Sequence, residues 1–252
     1  MGLLAEDEPP PFRTERPAGG SRLVLTADHA GNRMPRRVGN LGLDDVELVR
    51  HIAWDIGIAG VTTALAARLD AVAIFQNYSR LVIDCNRQPT VASAFPEISE
   101  ATVIPGNRQL SQAEKLARQT ALFDPYHREI ASQVGARLDQ SPIYVAMHSF
   151  TPVYLGAKRL MDVAVLYNRS PRLSWALAAL LRAEGDLIVA ENEPYRVTDE
   201  TDYGVPVHAE GNGLDYVEIE IRQDLIESDS GQAAWAERLA RLLPLAVAQM
   251  EG

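Results

Sequence analysis

The sequence has a single cysteine, Cys85, in 252 residues, which excludes a disulfide framework and any multi-cysteine zinc finger and fits a reducing compartment. No apolar run approaches the roughly 20 residues needed to cross a bilayer. The stretch from Met1 to Glu8 lacks both the basic flank and the long apolar segment of a secretory signal. Glu6 also stands where a myristoylation signal carries Ser or Thr. Basic residues are outnumbered, with Lys+Arg 24 against Asp+Glu 34 and a formal net charge of -10, which argues against a phosphate-backbone partner. The nucleotide-handling patterns Gly-x-x-x-x-Gly-Lys and Gly-x-Gly-x-x-Gly are missing, as is the Gly-x-Ser-x-Gly nucleophile elbow. What is present is 46% hydrophobic and 23% charged residues, the composition of an ordinary globular protein. The expectation is a soluble, acidic, cytoplasmic protein with no nucleic-acid or membrane partner; self-association is left open.

Hydrophobic patterning divides the chain into alternating elements. Residues 1–20, rich in proline and ending in a Gly-Gly pair, have no periodicity and are expected to form a disordered or loosely attached arm. Short apolar runs predict strands over 22–27, 71–75, 80–84, 143–147, 162–166, 187–190 and 216–221. Helices are expected from 46 to 69, capped by Asp44 or Asp45 and bent or divided at Gly57 and Gly60, and from Ser111 toward Leu138. Ser111 with Glu114 makes a capping box. Further helices are expected over 171–184 and 231–250, and 86–110 and 191–215 read as long loops, commonly functional in compact domains. Strands alternating with helices predict one α/β domain over 21–252, with a mixed, mostly parallel central sheet and helices on both faces.

The polar residues cluster at the ends of these strands. His29 follows one strand, Asn86 and Arg87 follow another, and His148 with Ser149 follows a third; carboxyl ends of strands are where open α/β sheets bind ligands. In Val217-Glu-Ile-Glu-Ile-Arg222 the charged and apolar residues alternate, so Glu218 and Glu220 share one face opposite Val217, Ile219 and Ile221. Paired carboxylates in an apolar strand need water, an arginine or a metal. Two imidazoles and an oxygen ligand suit zinc with one position left open, and zinc activates water and polarises a carbonyl. A neighbouring carboxylate can move the proton from water to a leaving amine, one arginine can face the oxyanion, and a second can grip a substrate carboxylate in a bidentate pair.

Four stretches, Thr26-Ala-Asp-His-Ala-Gly-Asn-Arg-Met-Pro35, Tyr78-Ser-Arg-Leu-Val-Ile-Asp-Cys-Asn-Arg87, Met147-His-Ser-Phe150 and Glu218-Ile-Glu-Ile-Arg-Gln223, together resemble the N-formylglutamate amidohydrolase family and, more widely, zinc carboxypeptidases and aspartoacylases. The likeness runs from about residue 22 to near the C-terminus. It implies a zinc-carboxypeptidase-like fold and hydrolysis of an N-acyl amino acid, N-formyl-L-glutamate above all, with Zn2+ or another divalent metal as cofactor. His29 and His148 would be metal ligands, Glu220 the catalytic glutamate, and Arg80 the oxyanion partner. Asn86 and Arg87 would bind the free carboxylate of the substrate. By their own places in the chain, beside His148 and in the loop before Glu220, Ser149 and His208 are expected as further pocket residues. The wider group has a liganding Glu three residues after the first His, where this chain has Asn32. Either Asn32 binds, or Asp55 takes the place, or metal affinity is low.

Each residue also has a plainer reading. His29 could serve turn hydrogen bonding, His148 could be a satisfied core histidine, and Arg80 or Arg87 could pair with Asp84 structurally. Asp55 could cap the segment after it, and His208 could sit on the surface. Glu218 and Glu220 point the same way, so motif position alone favours Glu220. Arg108, Arg159 and Arg222 are candidates for a glutamate side chain or simple surface charges. Cys85 as a nucleophile would need His148 or His29 as base, but the end of an apolar strand suits a buried, inert thiol. Two other functions stay open: the same chemistry on another N-acyl amino acid or small peptide, and a non-catalytic carboxylate binder on a degenerate hydrolase scaffold.

Overall fold

A computed structural model describes residues 2–252. Seven strands, β1 (Phe12–Glu15), β2 (Leu23–Ala27), β3 (Val72–Gln76), β4 (Ile143–Phe150), β5 (Val163–Leu166), β6 (Val189–Glu191) and β7 (Tyr216–Arg222), form one sheet in the order β1-β3-β2-β4-β7-β5-β6. Pairing is parallel from β3 through β2 and β4 to β7, antiparallel between β7 and β5, parallel between β5 and β6, and antiparallel between β1 and β3. The expected mixed, mostly parallel α/β fold is what forms. Five helices complete it: α1 (Ile58–Leu69), α2 (Gln112–Arg118), α3 (Asp124–Gly135), α4 (Arg172–Ala183) and α5 (Asp229–Glu251).

Alternation along the strands assigns the two faces. Leu23, Leu25 and Ala27 of β2 join Val217, Ile219 and Ile221 of β7 in a core with Leu65 of α1, Leu177 of α4 and Leu239 of α5. Val24, Tyr144, Ala146 and Tyr216 turn the other way and pack with Tyr126, Ile130 and Val134 of α3. The near-continuous apolar character of β2 and β4 follows, because both of their faces are covered. Among the described residues no helix is long and apolar enough to cross a membrane.

Three expectations about elements change. Of the expected loose arm over 1–20, Met1 lies outside the described residues and residues 2–20 are tied down: β1 pairs with β3, Leu3 is buried, and Tyr78 donates its hydroxyl hydrogen to the Pro9 carbonyl at 2.8 Å. Proline tolerates this position because β1 is an edge strand that needs few donors; the Pro11 carbonyl accepts from Asn77 N at 2.9 Å. Residues 80–84 form turns rather than a strand. Ser79 Oγ accepts from Leu81 N at 3.1 Å and Asp84 Oδ1 from Asn86 N at 2.9 Å, side-chain turns that outcompete a ladder although Leu81, Val82 and Ile83 are buried.

The third change concerns the first helix, which is confined to Ile58–Leu69; before it lies only a short turn of helix, Glu47–Val49, that neither Asp44 nor Asp45 caps through its side chain. Gly57 makes the break. Its φ is 81°, and a Cβ there would lie 2.1 Å from the Ile226 carbonyl oxygen, so glycine is required both by conformation and by space. Replacing it, Gly57→Ala, is expected to lower unfolding free energy by about 2 kcal/mol or more, read as a lower urea midpoint; an unchanged midpoint would contradict the close approach.

Candidate active site

The site is assembled by strand register. His148 of β4 lies opposite Glu220 of β7, and Ala146 opposite Glu218, so both glutamates and the imidazole rise from the same sheet face. β2 runs parallel to β4 beside it, and its continuation carries Asp28 and His29 to the same end. Asp55 arrives from the turn before α1, its backbone N–H held by the His29 carbonyl at 2.9 Å. His29, Asp55, His148, Glu218 and Glu220 line a cavity of about 190 Å³ with Arg80, Asn86, Arg87 and Ser149.

His29, Asp55 and His148 each offer a ligand atom, and these atoms lie within 4.8 Å of one another. Asp55 Oδ2 is 3.5 Å from His29 Nδ1 and 3.0 Å from His148 Nδ1. Donors about 2.1 Å from a tetrahedral ion stand about 3.4 Å apart, so the group can hold a metal with little movement. The outward nitrogens face carboxylates: His29 Nε2 is 2.7 Å from Asp84 Oδ1, and His148 Nε2 is 3.6 Å from Asp28 Oδ2. That is how ligating imidazoles are usually oriented. His29 Nδ1, facing Asp55, is buried without a hydrogen-bond partner among the described residues, an orphaned polar atom that a cation would satisfy.

The charges are strongly coupled. Burial disfavours the His148 imidazolium, yet Asp28 and Asp55 hold its pKa well above the ordinary value. Burial and Arg80 oppose protonation of His29, but Asp84 and Asp55 outweigh them and raise it. Asp84 is held well below the carboxylate range despite burial, by Arg80 and His29; Arg80 Nη2 donates to its Oδ2 at 2.6 Å. Glu218 and Glu220 go the other way. Burial pushes Glu218 up to about 7, and burial, helped by Asp55 and Glu218, pushes Glu220 up to about 8. Glu220 Oε2 is buried with no partner among the described residues.

Of the residues proposed from sequence, His29, Asp55, Arg80, Asn86, Arg87, His148, Ser149 and Glu220 are brought together. Ser149 donates its N–H to Asp55 Oδ2 at 3.1 Å and its hydroxyl to the Ile56 carbonyl at 2.9 Å, so it steadies Asp55. Two residues are elsewhere. Asn32 donates its amide to the Leu48 carbonyl at 3.1 Å and is not among the converging donors, because the chain turns through Gly31 against Asn77; the carboxylate oxygen that converges with the two imidazoles is that of Asp55. His208 is buried but stacks on His127 instead of lining the cavity. His127 Nε2 donates to the Cys85 carbonyl at 2.8 Å, so its Nδ1 accepts from His208 Nε2 at 2.9 Å. Burial lowers these imidazoles to about 3 and about 4, so both are neutral.

Other sequence candidates are also placed elsewhere. The Cys85 thiol is buried, pushed well above its usual pKa by that burial, and is contacted by Gln76 Nε2 at 3.2 Å. Neither Arg108 nor Arg222 lines the cavity, and Arg222 is paired with Asp162 and Asp224. The outer carboxylates Asp28 and Asp84, and the lining residues His51, Tyr195, Arg196 and Asp202, were not picked out as site residues. Asp84, two residues before Asn86, had a readable signal in its spacing; Tyr195 and Arg196 had none beyond lying in a long loop.

An α/β sheet carrying a histidine- and carboxylate-lined cleft at its strand ends defines a hydrolytic enzyme scaffold. The sequence matches the N-formylglutamate amidohydrolase family over residues 21–227, most of its length, and the chain belongs to that family; it is a hydrolase acting on an amide. A crystal structure of a gene product from Agrobacterium tumefaciens is 37% identical, with a TM-score of 0.94 and coverage of 99% of this chain and 100% of that one. The N-formylglutamate amidohydrolase from Ralstonia eutropha JMP134 shares the fold, with 22% identity, a TM-score of 0.73 and coverage of 96% and 99%. No curated protein matches the chain.

A cation held by His29, Asp55 and His148 must displace protons from imidazoles whose pKa values are raised. Zinc affinity measured by competition with a chelating dye is therefore expected to fall by about tenfold or more between about pH 8 and pH 6; a flat profile would contradict the assignment. Asp84→Asn is expected to weaken metal binding by about 10- to 100-fold, measured in the same way, and unchanged affinity would remove Asp84 from the site.

Proposed function

We propose that the protein hydrolyses the amide bond of an N-acyl amino acid, N-formyl-L-glutamate above all, releasing formate and glutamate, and that it does so with a divalent cation. Two imidazole nitrogens and one carboxylate oxygen suit zinc with a position open to solvent, which makes His29, Asp55 and His148 the residues that would hold it. Bound there, a cation supplies Lewis acidity, lowering the pKa of water and polarising an acyl carbonyl. The observation that carries the reading is the convergence of this donor group with Glu220 in one cavity.

The chain's own residues divide the remaining work. Glu220, with a carboxyl poised near neutrality, takes the proton of the attacking water and returns it to the amine nitrogen as the C–N bond breaks. Glu218 sits two residues away on the same face and keeps the pair from ionising together. Arg80 commits Nε and Nη2 to Asp84 Oδ2; its Nη1, 3.6 Å from Asp55 Oδ1, is the group that faces the oxyanion formed at the carbonyl. Asn86 Oδ1 accepts from Gly204 N at 3.0 Å, so its amide N–H groups are available as donors. Arg87 is anchored through Nη1 to Asp202 Oδ1 at 2.8 Å, and its remaining N–H groups can take the substrate α-carboxylate.

With Asp55 offering a carboxylate oxygen to the donor group, the departure at Asn32 no longer favours a degenerate, non-catalytic scaffold. Glu220→Gln keeps the shape and removes the proton carrier. It is expected to lower kcat on N-formyl-L-glutamate by about 10²- to 10⁴-fold while bound metal, measured by atomic absorption, stays stoichiometric. Wild-type kcat in this variant, or full activity after exhaustive chelation, would overturn the mechanism.

A further inference from the structure

Three arginines line the cavity, Arg80, Arg87 and Arg196. The first is committed to Asp84 and the second to Asp202. Arg196 makes no hydrogen bond or ion pair with any described residue. It is exposed at the cavity wall, in a cleft that already holds Glu100, Glu218 and Glu220. The second carboxylate of a two-carboxylate substrate, set among these acidic groups, needs a cation of its own.

Resting on the function proposed above, we infer that Arg196 binds the side-chain carboxylate of the substrate and sets the preference for an acidic amino acid over its amide isostere. The neighbours of Arg196 are fixed on both sides. Tyr195 accepts from Arg159 Nη1 at 3.0 Å, and the Arg159 guanidinium lies 4.9 Å from the Tyr195 ring and 4.8 Å from the Tyr154 ring. On the other side Val197 is buried, and Thr198 N donates to Asp202 Oδ2 at 2.8 Å. The other oxygen of Asp202 accepts from Arg87. One carboxylate therefore links the arginine assigned to the α-carboxylate with the segment that carries Arg196, which holds the two cationic positions in a set relation. Arg159 itself is occupied by aromatic rings and Tyr195, and leaves Arg196 as the cation available to a ligand.

The test compares wild type, Arg196→Gln and Arg196→Lys, with kcat/KM measured on N-formyl-L-glutamate and N-formyl-L-glutamine. Calorimetric binding of L-glutamate and L-glutamine to the same proteins is measured alongside. Wild type is expected to favour the acidic substrate by about tenfold or more, because a charge-assisted bidentate pair is replaced by a neutral contact in the amide. Arg196→Gln should collapse that ratio, and Arg196→Lys should restore part of it. An unchanged ratio in Arg196→Gln, or equal use of both substrates by wild type, overturns the inference. If wild type turns over neither substrate, the proposed function fails. The binding arm then decides the role of Arg196, since a glutamate preference lost in Arg196→Gln supports it and no preference refutes it.

Discussion

Two imidazoles and five carboxyl groups, those of Asp28, Asp55, Asp84, Glu218 and Glu220, are buried together at one end of the sheet, and the balance of their charges constrains everything around them. An uncompensated buried charge costs several kcal/mol, so each ionised group must have an answer nearby. Asp84 has Arg80 and His29, Asp55 has both imidazoles and the Ser149 N–H, and Asp28 accepts from the Tyr126 hydroxyl at 2.6 Å. Glu218 and Glu220 have no comparable partner, and their pKa values rise toward neutrality. Environment thus separates carboxyl groups into some held ionised and others raised toward neutrality.

The same balance explains why the surrounding loops are ordered. Arg87 and Asp202 join the segment after residue 84 to the segment after residue 195, and Gln88 N donates to the Thr201 carbonyl at 2.9 Å beside them. Asn107 donates to the Leu81 and Pro96 carbonyls and accepts from Arg118 Nη1 at 2.6 Å, which pins the other long connection under the site. Loops with their polar groups satisfied this way act as walls of the cleft. Membership of an amide-hydrolysing family agrees with such a cleft: strands position its histidines and carboxyl groups, and long connections surround them.

The legible part of this protein was the part with a local pattern. Apolar runs marked six strands of the sheet, the Ser111–Glu114 box marked the start of α2, and alternation put Glu218 and Glu220 on one face. The illegible part depended on competition between local and distant partners. Residues 80–84 are as apolar as a strand, yet Ser79 and Asp84 hydrogen-bond their own backbone and turn the chain. Residues 12–15 are mostly polar and follow three prolines, yet an open edge of β3 accepts them.

Sequence by itself determined the alternating α/β class, the placement of His29 just past β2, and the shared face of the two glutamates, because each follows from a repeat of two or from the residue next in the chain; the strand expected to stop before His148 runs on through it to Phe150. Only tertiary structure decided that Asp55 completes the donor group in place of Asn32, that Asp28 and Asp84 face the two imidazoles, and that His208 turns to His127. Those outcomes depend on distances between side chains far apart in the chain, from Asp55 to His148 or from His127 to His208. Such distances are set by strand order, the Gly57 break and the burial of charge, none of which leaves a periodic mark in the sequence.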